Sequence, residues 1–265
     1  MSRLMVNGAH LYVEEYGTGT PLVFLPGLTG GVRFFEPQLT ELSDRYRTIA
    51  LDYRGHGRSE FTEIGYTLEQ FAADIEGVLD RLDVTDAILV GWSLGALLSW
   101  EYLDRYGADR VRGIVDVDME PSPYQRADYP YGTYTIDGLR EALVALQTDR
   151  FAAIETAIDR LCKEPPTGRL RTMMIDEMSR CPPTVHGTLM LSLMRDYRPV
   201  LSEIDVPALV CVGMDGEWRS PESVEHTAEF LADVDIERFP ESGHCLTVEE
   251  PDRFNRVVAE FAEAI

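Results

Sequence analysis

The sequence predicts an α/β fold: a mostly parallel sheet with helices on both faces, plus a helical cap inserted after the sixth strand. Three observations carry this. Short apolar runs alternate with amphipathic helical segments up to Asp118 and again from Val206 onward, the pattern of parallel strands joined by crossover helices. Between them, residues 137–198 keep helical spacing throughout, with Pro165-Pro166 and Pro182-Pro183 as breaks. Finally, Gly91-Trp92-Ser93-Leu94-Gly95 joins an apolar strand-like run, Ala87-Ile88-Leu89-Val90, to a helical one at 96–103. This G-x-S-x-G pattern puts a serine on a sharp strand-to-helix turn, where flanking glycines relieve crowding against neighbouring backbone.

The elements follow in order. Leu4 to Tyr16 reads as a hairpin turning at Asn7-Gly8, a strong turn pair. Pro21 to Leu25 is a short buried strand that runs into a glycine-rich loop, Pro26 to Gly31. Residues 33–44 suggest a helix, and Arg47 to Asp52 a strand. Thr67 to Leu82 is an amphipathic helix with Thr67 as N-cap and Leu68, Phe71, Ile75, Val78, Leu79 and Leu82 on its apolar face. The strand at 87–90, the helix after Ser93 and a strand at 111–118 come next. Residues 121–136, rich in Pro, Tyr and Gly, read as loop, followed by three to four cap helices. A strand at 206–213, a helix near 221–232, a strand at 235–239 and a helix at 250–264 complete the chain. The expected division is a core of 1–120 with 201–265 and a cap of 121–200.

Composition narrows the function. A chain of 265 residues suits one α/β domain with a small insertion. Its net charge of −22 repels nucleic acid and anionic membranes. Lys163 is the only lysine, beside 23 arginines. No apolar run approaches the ~18 residues of a membrane span. Met1 to Gly8 is too short and polar for a signal peptide, so a soluble cytoplasmic protein is expected. Cys162, Cys181, Cys211 and Cys245 form no C-x-x-C pair and no zinc spacing, so neither metal nor disulfide is expected.

A serine nucleophile needs a histidine as general base and an acid to orient it. Among the histidines, His244 lies in a loop between the last strand and the last helix. That is the rim where parallel strands present their sites. It also completes the chain order serine, acid, histidine. His10, His186 and His226 read as ordinary surface or core residues. Two aspartates are candidates for the acid: Asp118 ends the strand after the nucleophile helix, and Asp215 follows the resumed strand. Either could reach the imidazole Nδ1 from its loop.

Several segments together resemble α/β-hydrolase-fold proteins, in order and over essentially the whole chain. They are Leu25-Pro26-Gly27-Leu28, Asp52-Tyr53-Arg54-Gly55-His56-Gly57-Arg58-Ser59, Gly91-Trp92-Ser93-Leu94-Gly95, and Ser242-Gly243-His244 with Glu250-Pro251 and Phe254-Asn255. The resemblance implies Ser93 as nucleophile, His244 as base, and the backbone N–H groups of Leu28 and Leu94 as oxyanion hole. It implies a structural role for Asp52 and His56, in a turn anchored by Arg54 and Arg58. Two departures stand out. Pro26-Gly27 replaces the family's usual His-Gly. The family's usual acid position is Gly216, with Asp215 one place early. Some members place the acid as Asp118 is placed, and Val117-Asp118-Met119-Glu120-Pro121 resembles the V-D-x-x-P segment of non-haem peroxidase-like hydrolases. Asp118 is therefore the favoured acid and Asp215 the alternative.

The expected activity is hydrolysis of an ester, thioester or lactone of a small, fairly apolar substrate through an acyl-enzyme, without cofactor or metal. Trp92, Tyr124, Tyr134 and Met190 are candidate pocket residues, while Met173, Met174, Met178 and Met194 are expected mostly in the core of the cap. Competing readings are a C–C bond hydrolase, a lyase or a cofactor-free peroxidase-type enzyme on the same triad, and a ligand-binding protein without catalysis. The expected partner is a small-molecule substrate, with a homodimer left open.

Overall fold

The computed structural model describes residues 1–265. Its eight strands are β1 (Ser2–Val6), β2 (Ala9–Tyr16), β3 (Pro21–Leu25), β4 (Arg47–Leu51), β5 (Ala87–Trp92), β6 (Val111–Val117), β7 (Ala208–Gly213) and β8 (Val234–Phe239). They form one sheet in the order β1-β2-β4-β3-β5-β6-β7-β8. β2 pairs antiparallel with β1 and β4, and every other pairing is parallel. The central strands β3 and β5 are buried at every position because both faces are covered. Val23 and Leu25 join one core cluster, while Leu22 and Phe24 join the other, as alternation along a strand requires.

The helices are α1 (Glu36–Glu41), α2 (Leu68–Arg81), α3 (Leu94–Tyr106), α4 (Ile136–Thr148), α5 (Arg150–Leu161), α6 (Gly168–Arg180), α7 (Pro183–Ser192), α8 (Arg198–Leu201), α9 (Pro221–Glu225), α10 (Leu246–Glu249) and α11 (Pro251–Ala264). No helix is long and apolar enough to cross a membrane. Five of them, α4–α8, lie in the chain between β6 and β7. Thr67 caps α2 by accepting from the Gln70 N–H, as its sequence position suggests. Two expected helices are shorter than predicted. The segment 33–44 breaks into a 3-10 turn at Val32–Phe35, α1, and a second turn at Leu42–Asp44. Pro37 at the start of α1 has no N–H to continue the preceding turn. The segment near 221–232 contains only α9 and a 3-10 turn at Ala228–Phe230.

The first turn of α3 lies directly on the sheet. A Cβ added at Gly95 would fall 1.9 Å from the Leu25 carbonyl oxygen, and one at Gly91 would fall 2.4 Å from Gly95. No side chain fits at either position. This approach forces Ser93 between them into φ 55°, ψ −115°, a conformation disfavoured for an L-residue. The sheet thus stores strain at the C-terminal end of β5 and lifts one hydroxyl-bearing residue out of the core.

Gly95→Ala should lose about 3 kcal/mol or more, since the clash is with backbone that has no rotamer to yield. Thermal unfolding should show a drop of roughly 6–12 °C for a chain of this size. A near-native midpoint would mean that the α3–β3 approach is looser than described.

Candidate active site

The C-terminal ends of β3, β5, β6, β7 and β8 share one rim, and the loops there converge. Asp118, one residue past β6, is 3% exposed and has a left-handed φ of 52°. Its Oδ1 accepts the Gly213 N–H at 2.9 Å, and its Oδ2 lies 2.6 Å from His244 Nδ1. His244 is also 3% exposed, and its carbonyl accepts the Trp92 indole N–H at 2.7 Å. The rings of Trp92 and Trp218 pack on the imidazole at centroid distances of 5.4 and 6.0 Å. Burial pulls the His244 pKa below its ordinary value. Arg219 nearby acts in the same direction, and the Asp118 hydrogen bond opposes both.

Ser93, 8% exposed, lines a cavity of about 780 Å³ together with His244, Leu28 and Leu94. Its hydroxyl forms no hydrogen bond to His244 in this structure. Such contacts are often long until substrate binds. Leu94 is the first residue of α3, so its N–H has no partner one turn back. The Leu28 loop closes over the serine: a Cβ at Gly27 would lie 3.3 Å from Ser93 Cβ.

Asp215 is placed elsewhere. Its side chain is 61% exposed and pairs with Lys163 Nζ at 3.1 Å on the outer surface. Only its main chain supports the histidine loop, by donating to the Ser242 carbonyl at 3.1 Å. At Gly216 a Cβ would lie 3.0 Å from Gly243 Cα. The loop carrying His244 therefore leaves little room for a side chain at Gly216, the acid position that the family resemblance implies.

The cavity also corrects the pocket assignments. Trp92, Tyr134 and Met190 line it, as does Met178. Tyr124 does not: its ring packs behind Tyr134 at 5.6 Å. Met173 and Met174 are in the core, and Met194 is on the surface. His186 on α7, expected to be an ordinary surface or core residue, is in the cavity wall, where burial lowers its pKa to about 4.

Trp218, Arg219 and Glu120 were not singled out from the sequence. Trp218 and Arg219 line the cavity. Glu120 is fully buried and ion-pairs with Arg219 Nη1. Burial lowers the Arg219 pKa to about 10. The usable signal was their place in loops on the catalytic rim. No three His, Cys, Asp or Glu side chains cluster as metal ligands.

A doubly covered parallel sheet with a strained serine elbow and a buried aspartate–histidine pair defines a class, and sequence comparison agrees with it. The chain matches the alpha/beta hydrolase fold family over residues 20–251 and belongs to that family. It is 29% identical to a 2-(acetamidomethylene)succinate hydrolase from Mesorhizobium japonicum over 99% of this chain and 95% of the relative. A putative non-heme chloroperoxidase from Synechocystis is also 29% identical, over 96% and 95% of the two chains. The solved esterase EaEST from Exiguobacterium antarcticum superposes with a TM-score of 0.94 at 27% identity, covering 99% of each chain.

Titration of the His244 imidazole by NMR should give a midpoint below about 6.5, the value of an unperturbed histidine. The folded protein holds this ring uncharged to lower pH than the unfolded chain does. A midpoint above that value would mean that the Asp118 hydrogen bond outweighs burial.

Proposed function

We propose that this protein is a serine hydrolase that cleaves an ester, thioester or lactone of a small, fairly apolar substrate. The observation that carries this reading is the 2.6 Å contact between His244 Nδ1 and Asp118 Oδ2, on the rim of a cavity that Ser93 also lines. Asp118 holds the imidazole in the tautomer that leaves Nε2 free as a base. His244 takes the Ser93 proton as Oγ attacks the carbonyl carbon. The N–H groups of Leu28 and Leu94 receive the tetrahedral oxyanion, aided by the positive end of α3. The intermediate collapses to an acyl-enzyme as His244 protonates the leaving group. Water activated by the same imidazole then releases the acid. No step calls for a cofactor.

The cavity supports the substrate class. Its volume is in the range of small-molecule sites. The wall supplied by α4, α5 and α7 presents Ala142, Ala145, Leu146, Ala153 and Met190, so an apolar acyl group would be buried there. The resemblance to an esterase over the whole chain supports the same reading.

A panel of p-nitrophenyl esters tests it. Ser93→Ala should fold normally and lose about 10⁴-fold or more in kcat. Near-native turnover in that variant removes the nucleophile assignment. Asp118→Asn should lose about 10³–10⁴-fold, because the amide favours the wrong imidazole tautomer. Asp215→Asn should lose tenfold at most, since only a surface ion pair is removed. The opposite ranking of the two aspartates would refute the assignment of the acid. Ligand binding with no turnover of any ester would favour a binding protein.

A further inference from the structure

Two carboxylates are buried two residues apart past the end of β6. Asp118 holds His244, and Glu120 is wholly inaccessible. Two like charges removed from water require a counter-charge close by. Arg219 supplies it. Its side chain is 3% exposed, and its Nη1 ion-pairs with Glu120 Oε2. The other Glu120 oxygen accepts the Thr133 N–H at 3.3 Å, which pins the carboxylate. The Arg219 Nε is buried without any partner. A pair serving only to clamp two loops would be expected to use the two-pronged guanidinium–carboxylate geometry. Arg219 instead gives up that second contact and is part of the cavity wall alongside Ser93 and His244.

We propose that Arg219, braced by Glu120, is a positioning residue of the triad: it sets the net charge around the Asp118–His244 pair and so the pH at which His244 becomes a base. This rests on the triad reading above. With His244 neutral, Asp118, Glu120 and Arg219 leave one net negative charge, which protonation of the imidazole cancels. The proton transfer from Ser93 therefore ends in a balanced buried cluster. Removing the arginine leaves two negative charges and favours imidazolium already in the resting enzyme. Removing Glu120 leaves none and opposes imidazolium. Removing both restores the original count.

The other groups around His244 are the same in all these proteins. Glu249 on α10 accepts the Gly243 and Lys163 N–H groups at 3.1 and 2.7 Å. Lys163 pairs outward with Asp215 and Glu241. The Cys245 thiol, beside Cys162, is held far above its ordinary pKa by burial. His186 faces the cavity from α7.

The test is the rate at which a neutral fluorophosphonate labels Ser93 from pH 4.5 to 9, in wild type, Arg219→Met, Glu120→Gln and the double variant. Relative to wild type, the midpoint should rise by about one pH unit in R219M and fall by a similar amount in E120Q. It should return to wild type in the double variant. Arg219→Lys, which keeps the charge and loses the fork, should stay near wild type. A common midpoint in all five proteins overturns the proposal and leaves Arg219 a packing residue. Absence of labelling in wild type at any pH instead removes the triad reading, and this proposal with it. Should R219M not fold, Arg219→Ala can be assayed with added methylguanidinium. Its midpoint must then fall toward wild type as the cation is added, and a midpoint indifferent to the cation also overturns the proposal.

Discussion

Asp118 is the joint on which the rim carrying the candidate site depends. One carboxylate oxygen takes the N–H of Gly213 at the end of β7, and the other takes the imidazole of His244 beyond β8. Its own N–H is tied to the Cys211 carbonyl. A single side chain therefore fixes the relative positions of three strand ends. Its left-handed backbone is the cost of turning the carboxylate back across the sheet instead of onward into the following loop. Ser93 is strained in the same way by the glycines beneath it. Two non-glycine residues with positive φ at adjacent strand ends, both lining or serving one cavity, fit the tendency of strain to persist where function over-determines the geometry.

The insertion between β6 and β7 forms one wall of the cavity, and it is attached to the core at points close to the site. At the end of α5 the Leu161 carbonyl accepts the Cys245 N–H, and the Lys163 N–H donates to Glu249. On α6 the buried Glu177 faces Arg33 from the loop after β3. At the far end Arg195 ion-pairs with Glu101 of α3, and Tyr197 donates to the same carboxylate at 2.8 Å. These contacts join the insertion to the His244 loop and to α3. The shape of the cavity and the relative placement of Ser93 and His244 are thus mechanically linked.

The electrostatics follow from burial. His56 and His186 are kept neutral down to about pH 4 because neither gains a carboxylate partner to offset desolvation. His244 is also pulled down by burial and by Arg219, but it has in Asp118 a carboxylate that opposes them. The same desolvation raises Asp116, near the C-terminal end of β6, to about 8. That group is two residues from Asp118 on the same strand line, yet it meets Trp100 rather than a histidine. Position relative to the strand end, not residue type, separates a carboxylate that meets an imidazole from one that meets an indole N–H.

The strands, the amphipathic helix at Thr67, the glycine-flanked serine and the histidine loop were legible in the residues, because each rests on local spacing and turn chemistry that a chain expresses before it folds. Helix ends around Pro37 and after Glu225 are not legible, since apolar spacing continues there while the hydrogen bonding tightens to the 3-10 pattern. The choice between Asp118 and Asp215 was not local. Both stand at strand ends, and what separates them is the closure of the Gly243 loop onto Gly216, which turns one carboxylate outward to Lys163 and leaves the other facing the imidazole. Tyr124 and Tyr134 likewise share a loop and a residue type, and only packing puts one in the cavity and the other behind it. Glu120, Trp218 and Arg219 come together from segments about a hundred residues apart, so their joint burial, and the charge balance it demands, arises only when the sheet brings the ends of β6 and β7 side by side.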